Sequence, residues 1–140
     1  MLSLRIQKLQ DVTILHCAGR FAFPQAVELE ATILRAVRTP VLVLDMMETV
    51  LMDAAGLGVL VSLRTRAIRT GRILKLMNVM PRVEQVLRLT KLYSEFEICS
   101  GREMLELLCL AISTHEAGRS GPSGQNVNHV EGTDFVRVLA

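Results

Sequence analysis

The sequence predicts an α/β domain: a mixed, mostly parallel sheet covered by helices, in the order ββαβαβαβα. Three observations carry this reading. Short apolar runs such as Val41–Leu44 and Ile73–Met77 alternate with stretches whose apolar residues recur at helical spacing. Gly19, Pro40, Gly71 and Pro81 punctuate those segments as turn or stop signals. Half of the residues are apolar and only 4% aromatic, so the core must be aliphatic.

The opening strands are expected at Ser3 to Leu9 and Val12 to Ala18, joined through Gln10-Asp11. The first alternates, as an outer strand does; the second is more continuously apolar, as a central strand is. Gly19 lets the chain leave the sheet. Pro24 can open a helix, because its fixed φ suits the first turn and no N–H is wasted. Ala26, Val27, Leu29, Ile33, Leu34 and Val37 then form an apolar stripe, ended by Pro40. After strand Val41–Asp45 and a small loop, Asp53 is placed to cap a helix that runs to about Thr70. Leu57, Leu60, Val61 and Ile68 are expected on its inner face. Gly71 closes it. Strand Ile73–Met77 follows, then a helix carrying Val83, Val86 and Leu87, and a short strand near Phe96-Glu97-Ile98. Ser100 and Glu103 form a capping box for a last helix through Met104, Leu107, Leu108 and Ala111.

At 140 residues the length suits one domain, expected over 1–117. The stretch Gly118 to Asn126 is too polar and glycine-rich to fold alone, so 118–140 reads as a flexible tail with a short apolar C-terminal segment. That segment, Asp134 to Ala140, could add an edge strand; the sequence alone favours a frayed end. No apolar run approaches membrane-spanning length and no secretory signal is visible. Cys17, Cys99 and Cys109 sit in apolar neighbourhoods and read as reduced thiols of a cytosolic protein. His16, His115 and His129 lack metal-ligand spacing, so no metal or cofactor is expected.

The run Met52-Asp53-Ala54-Ala55-Gly56-Leu57-Gly58-Val59-Leu60, after Val41–Asp45, resembles the centre of a STAS domain. Gly19-Arg20-Phe21, Gly71 to Asn78 and Pro81 to Leu92 fit the same family in order, and the resemblance covers about Leu2 to Ala117. The family includes anti-sigma factor antagonists and the cytoplasmic domains of sulfate transporters. In the antagonists a partner kinase phosphorylates a serine directly after the aspartate. The matching position here is Ala54, followed by Ala55, so the resemblance supports fold and binding surface and leaves no phosphoacceptor in the loop. A phosphate at a helix N-terminus would meet free N–H groups and a favourable dipole. Ala54 instead mimics a permanently unphosphorylated surface.

The resemblance implies a non-enzymatic, cytoplasmic regulatory domain, anti-sigma factor antagonist-like. Asp53, Ala54, Ala55, Gly56, Leu57 and Gly58 would contact a serine-kinase-type anti-sigma factor. One alternative keeps the fold and makes the chain a scaffold or transporter-associated STAS subunit. Another is a receiver-like phosphoacceptor domain using Asp45, although the further acids such a site needs for Mg²⁺ are missing from the sequence. The two glycines could equally mark close packing on the sheet. Met46, Met47, Met52, Met77 and Met80 crowd the neighbouring loops, as adaptable binding surface or as core filler. The basic residues from Arg64 to Lys91 read first as a solvated face. A net charge of +2 with only Tyr93 nearby for stacking gives no support to nucleic acid. No nucleophile–base pair and no phosphate-binding glycine loop emerges. A homodimer is compatible with all of this.

Overall fold

The computed structural model describes residues 2–106 and 131–136. Strands β1 (Leu2–Leu9) and β2 (Val12–Phe21) form an antiparallel hairpin. Gln10 makes its tight turn by adopting a left-handed conformation, φ +53°. Helix α1 (Gln25–Ala36), strand β3 (Val41–Met52) and helix α2 (Ala54–Arg69) follow. Next come β4 (Ile73–Met77), α3 (Pro81–Leu89), a 3-10 turn at Tyr93–Glu95 and β5 (Glu97–Cys99). A further helix, α4, covers 101–106. The β2–β3, β3–β4 and β4–β5 pairings are parallel, as the helical crossovers require.

A sixth strand, β6 (Glu131–Val136), pairs antiparallel with β1, giving the sheet order β5-β4-β3-β2-β1-β6. Of the two readings of the C-terminal segment, the structure contains the edge strand rather than the frayed end. It begins at Glu131, before the Asp134 expected from the sequence. The continuation of α4 through Leu107, Leu108 and Ala111, and the boundary near 117, lie outside the described residues.

Period-two alternation splits the sheet into two faces. Leu4, Leu15, Leu44 and Leu76 point to one face and build the main core with α1, α2 and α3. Ile14, Val43 and Met77 point to the other and pack with Met104 of α4. The capping box forms as expected: Glu103 N–H donates to Ser100 Oγ at 3.1 Å, and Ser100 N–H to the Glu103 carboxylate at 3.3 Å.

Three expectations need correction. The segment after Asp45 is strand rather than loop: β3 continues to Met52, pairing with β2 through two irregularities. The inner face of α2 is Gly56, Val59, Leu60 and Leu63, with Leu57 and Val61 half-buried against the core. Ile68 is 63% exposed, because burial follows the 56–59–60–63 row and Ile68 falls outside it. In α1, Val27 and Leu34 are likewise exposed, while Ala26, Leu29 and Ile33 are buried.

Candidate functional site

The site lies at the C-terminal end of the parallel strands, where β3 hands over to α2. Asp53 has extended backbone and caps the helix: Gly56 N–H donates to its Oδ1 at 2.8 Å. Its second oxygen accepts from Phe23 N–H at 3.1 Å, so the same carboxylate pins the β2–α1 loop to the start of α2. The Gly56 N–H, opposed by partial burial and helped by the N–H groups of Phe23 and Ala55, holds the Asp53 carboxyl below its usual range.

The six residues singled out from the sequence divide. Ala54 is exposed at the first position of the helix, and Gly58 is exposed one turn later. Ala55 and Leu57 are half-buried. Gly56 is buried, and a Cβ there would lie 1.9 Å from the Phe21 carbonyl oxygen. That contact is with backbone, so it cannot be relieved by turning a side chain. Gly58 has nothing within 4 Å of the place a Cβ would take.

Exposed apolar side chains occur on the segments at this end of the sheet. Phe23 is 68% and Met47 56% exposed, and Val50, Leu51 and Met80 are exposed as well. Met46, Met52 and Met77, all on strands, are buried. Met47 and Met80 stood out in the sequence; Phe23, Val50 and Leu51 did not, because exposure at a strand end leaves no periodic signal. The nearby hydroxyls are engaged. Thr49 is buried and donates to the Cys17 carbonyl at 3.1 Å, and Ser62 donates to Glu30 Oε1 at 2.7 Å.

Asp45 anchors a separate polar network. Its Oδ2 lies 2.7 Å from His16 Nδ1, which must donate, since a carboxylate only accepts. Its Oδ1 accepts from Met47 N–H at 3.1 Å and from Asn78 Nδ2 at 3.2 Å. Asn78, at φ +56°, accepts in turn from Gly101 N–H at 3.0 Å, and Gln7 Oε1 lies 3.1 Å from His16 Nε2. Burial alone would raise the Asp45 pKa; the hydrogen bonds from His16, Met47 and Asn78 outweigh it and hold the carboxyl below its usual range. Cys17 behind it is free, and burial with the Asp45 charge pushes its pKa up to about 12, so it is an inert thiol. With both oxygens of Asp45 committed, the network ties β1, β2, β3 and the start of α4 together. Among the described residues no three of His, Cys, Asp and Glu are grouped to hold a metal. Among the same residues no helix is long and apolar enough to cross a membrane.

The fold is shared with proteins of solved structure. A protein from Thermotoga maritima described as an anti-sigma factor antagonist superposes with a TM-score of 0.68 at 21% identity, over 74% of this chain and 92% of that one. An anti-sigma factor antagonist from Mycobacterium paratuberculosis gives 0.65 at 18% identity, over 77% and 94%. A sulfate transporter family protein from Wolinella succinogenes gives 0.60 at 22% identity, over 75% and 90%. At such identities the likeness is one of fold. No curated protein matches the chain. The model of the STAS domain matches residues 3–103, from the first strand to the start of α4, and the chain belongs to the STAS domain family.

Proposed function

We propose that this chain is a non-enzymatic, cytoplasmic regulatory domain of the anti-sigma factor antagonist kind. In this reading it docks a serine-kinase-type anti-sigma factor through the N-terminus of α2 and has no phosphoswitch of its own. The observation that carries the reading is Ala54: exposed and uncharged on a capped helix start, with exposed apolar side chains on the same end of the sheet. Exposed apolar side chains near a capped helix N-terminus suit contact with another protein. Likeness to two anti-sigma factor antagonists supports the choice of partner. Ala54 and Ala55 offer no oxygen to a γ-phosphate, and Thr49 and Ser62 use theirs internally.

The missing hydroxyl, with the likeness to a sulfate transporter family protein, also favours a second reading: a scaffold or transporter-associated STAS subunit. Titrating a serine-kinase-type anti-sigma factor against the wild type and Ala54→Glu separates the two. The first reading expects wild-type binding, clear weakening by Ala54→Glu, no phosphate on the wild-type loop and labelling of Ala54→Ser by the kinase with ATP. Absence of binding to any such kinase would hand first place to the second reading. Binding that Ala54→Glu leaves unchanged would move the contact away from the α2 N-terminus.

A further inference from the structure

The opposite end of α2 carries a second, chemically different feature. A cleft of about 140 Å³ opens between the C-terminal ends of α1 and α2, above the first residues of β3 and β4. Its floor is apolar: Ile33, Val37, Leu42, Leu63 and Leu74. Four of these, Leu42 excepted, are already buried residues of the main core, so the cleft reaches down to packed side chains. Three arginines, Arg66, Arg69 and Arg72, also line it.

Other cations of the same basic segment are paired. Arg64 bonds the Glu95 carboxylate at 3.1 Å, Lys75 lies 3.7 Å from Glu97, and Arg88 lies 3.5 Å from Glu84 and over the Tyr93 ring. Among the described residues, none of the three lining arginines is within 4.0 Å of a carboxylate. The Arg72 side chain makes a long bond, 3.5 Å, to the Val37 carbonyl. Arginines in the last turn of a helix complement its dipole, and that accounts for Arg66 and Arg69 in part. It does not account for Arg72, beyond the helix, bordering the same apolar opening.

We propose that this cleft binds a small amphipathic anion, with one ring or a short alkyl group on the apolar floor and a carboxylate or phosphate head against Arg66, Arg69 and Arg72. The volume suits a single ring, since an apolar cavity of about 150 Å³ takes up benzene. Guanidinium forks match either head by paired, charge-assisted hydrogen bonds. The site is distinct from the α2 N-terminus, which lies about 24 Å away along sixteen residues of helix. It holds whichever partner that end engages.

The test follows the Ile, Leu and Val methyl signals of the full chain by NMR during titration with phenylacetate, phenyl phosphate, 2-phenylethanol and inorganic phosphate. At least one of the two anions should shift Ile33, Val37, Leu63 and Leu74 together, with a dissociation constant of about a millimolar or below, as ten or so heavy atoms permit. Comparing the anions reads which head is preferred. The neutral alcohol, and phosphate without a ring, should each bind at least about tenfold more weakly, since each lacks one half of the recognition. Arg69→Gln should weaken the anion about tenfold while the melting temperature stays put. Ala67→Leu, which fills the cleft from α2, should abolish the methyl shifts. Three results would overturn the proposal: no methyl shift with either anion, equal affinity for the alcohol, or unchanged affinity after Arg66→Gln and Arg69→Gln are combined.

Discussion

Gly56 and Gly58 stand two residues apart on one helix and do opposite things. Gly56 faces inward, where the backbone of α2 comes so close to the Phe21 carbonyl that no side chain fits. Gly58 faces outward into open space. A sequence shows them as one motif; the fold assigns one to packing and the other to the surface. The lesson is that a short glycine motif at a helix start can be half scaffold and half contact. Only its outward members, Ala54 and Gly58, with the half-buried Ala55 and Leu57, remain open to a partner.

The contrast can be broken by substitution, and the largest effect belongs to Gly56. Gly56→Ala should lose about 3 kcal/mol or more, at or beyond the upper end of overpacking, because the clash is with backbone. Urea denaturation measures it, and a loss under about 1 kcal/mol would mean that α2 slides freely over β2. Gly56→Glu should harm folding and partner binding together, because the same backbone clash applies. Next in size is Asp45→Ala, which strands His16 and Asn78 and should cost about 1–3 kcal/mol. A near-neutral result would show that this end of the sheet is held from the helical face alone.

Acid should act through the same carboxylates. Asp45 and Asp53 both have lowered folded pKa values. Their contribution is therefore fully present above the unfolded carboxyl value of about 3.9 and is lost as pH falls through the lower folded values. Asp53→Ala should cost about 1 kcal/mol from the lost cap, and more if the Phe23 N–H finds no water. It should also flatten the acid limb of a stability-against-pH curve. Gly58→Ala should stabilise by about 0.5–1 kcal/mol, the sign opposite to Gly56→Ala, because the site is helical and open. If that gain comes with weaker partner binding, Gly58 is in the contact; if binding is unchanged, the contact stops short of it. Ala54→Ser should change stability least, by under about 0.5 kcal/mol, with its effect confined to phosphorylation.

Local chemistry is what the sequence displays best. Asp53 as a cap, the Ser100–Glu103 box and the Gly71 turn at φ +70° all rest on residues close in the chain, and all were legible. What stayed hidden depends on distant partners. His16 and Asp45 are 29 residues apart and meet only when β2 pairs with β3. The extension of β3 through Met46 to Met52 was hidden because Asp45 and Glu48 interrupt its apolar pattern; pairing with β2 overrides that weak local preference. Ile68 misled because the apolar residues of α2 span more than one face, and only the row of Gly56, Val59, Leu60 and Leu63 meets the core. At the candidate site, the cap and exposed Ala54 followed from the cap position, while the division between the two glycines required the position of Phe21.

The pairing of β6 with β1 joins two described strands that are more than a hundred residues apart, Leu4 opposite Val136 and Lys8 opposite Glu131. During translation at about 5–20 residues per second, β1 emerges several seconds or more before its outer neighbour exists. The hairpin with β2 can close at once, and β3 and β4 can dock in turn, while the other edge of β1 stays open. An open edge is a template for another nascent chain. Exposed Arg5 and half-buried Lys8 lie along that edge, and their charges discourage pairing with a second copy of the same strand until β6 arrives to cover it.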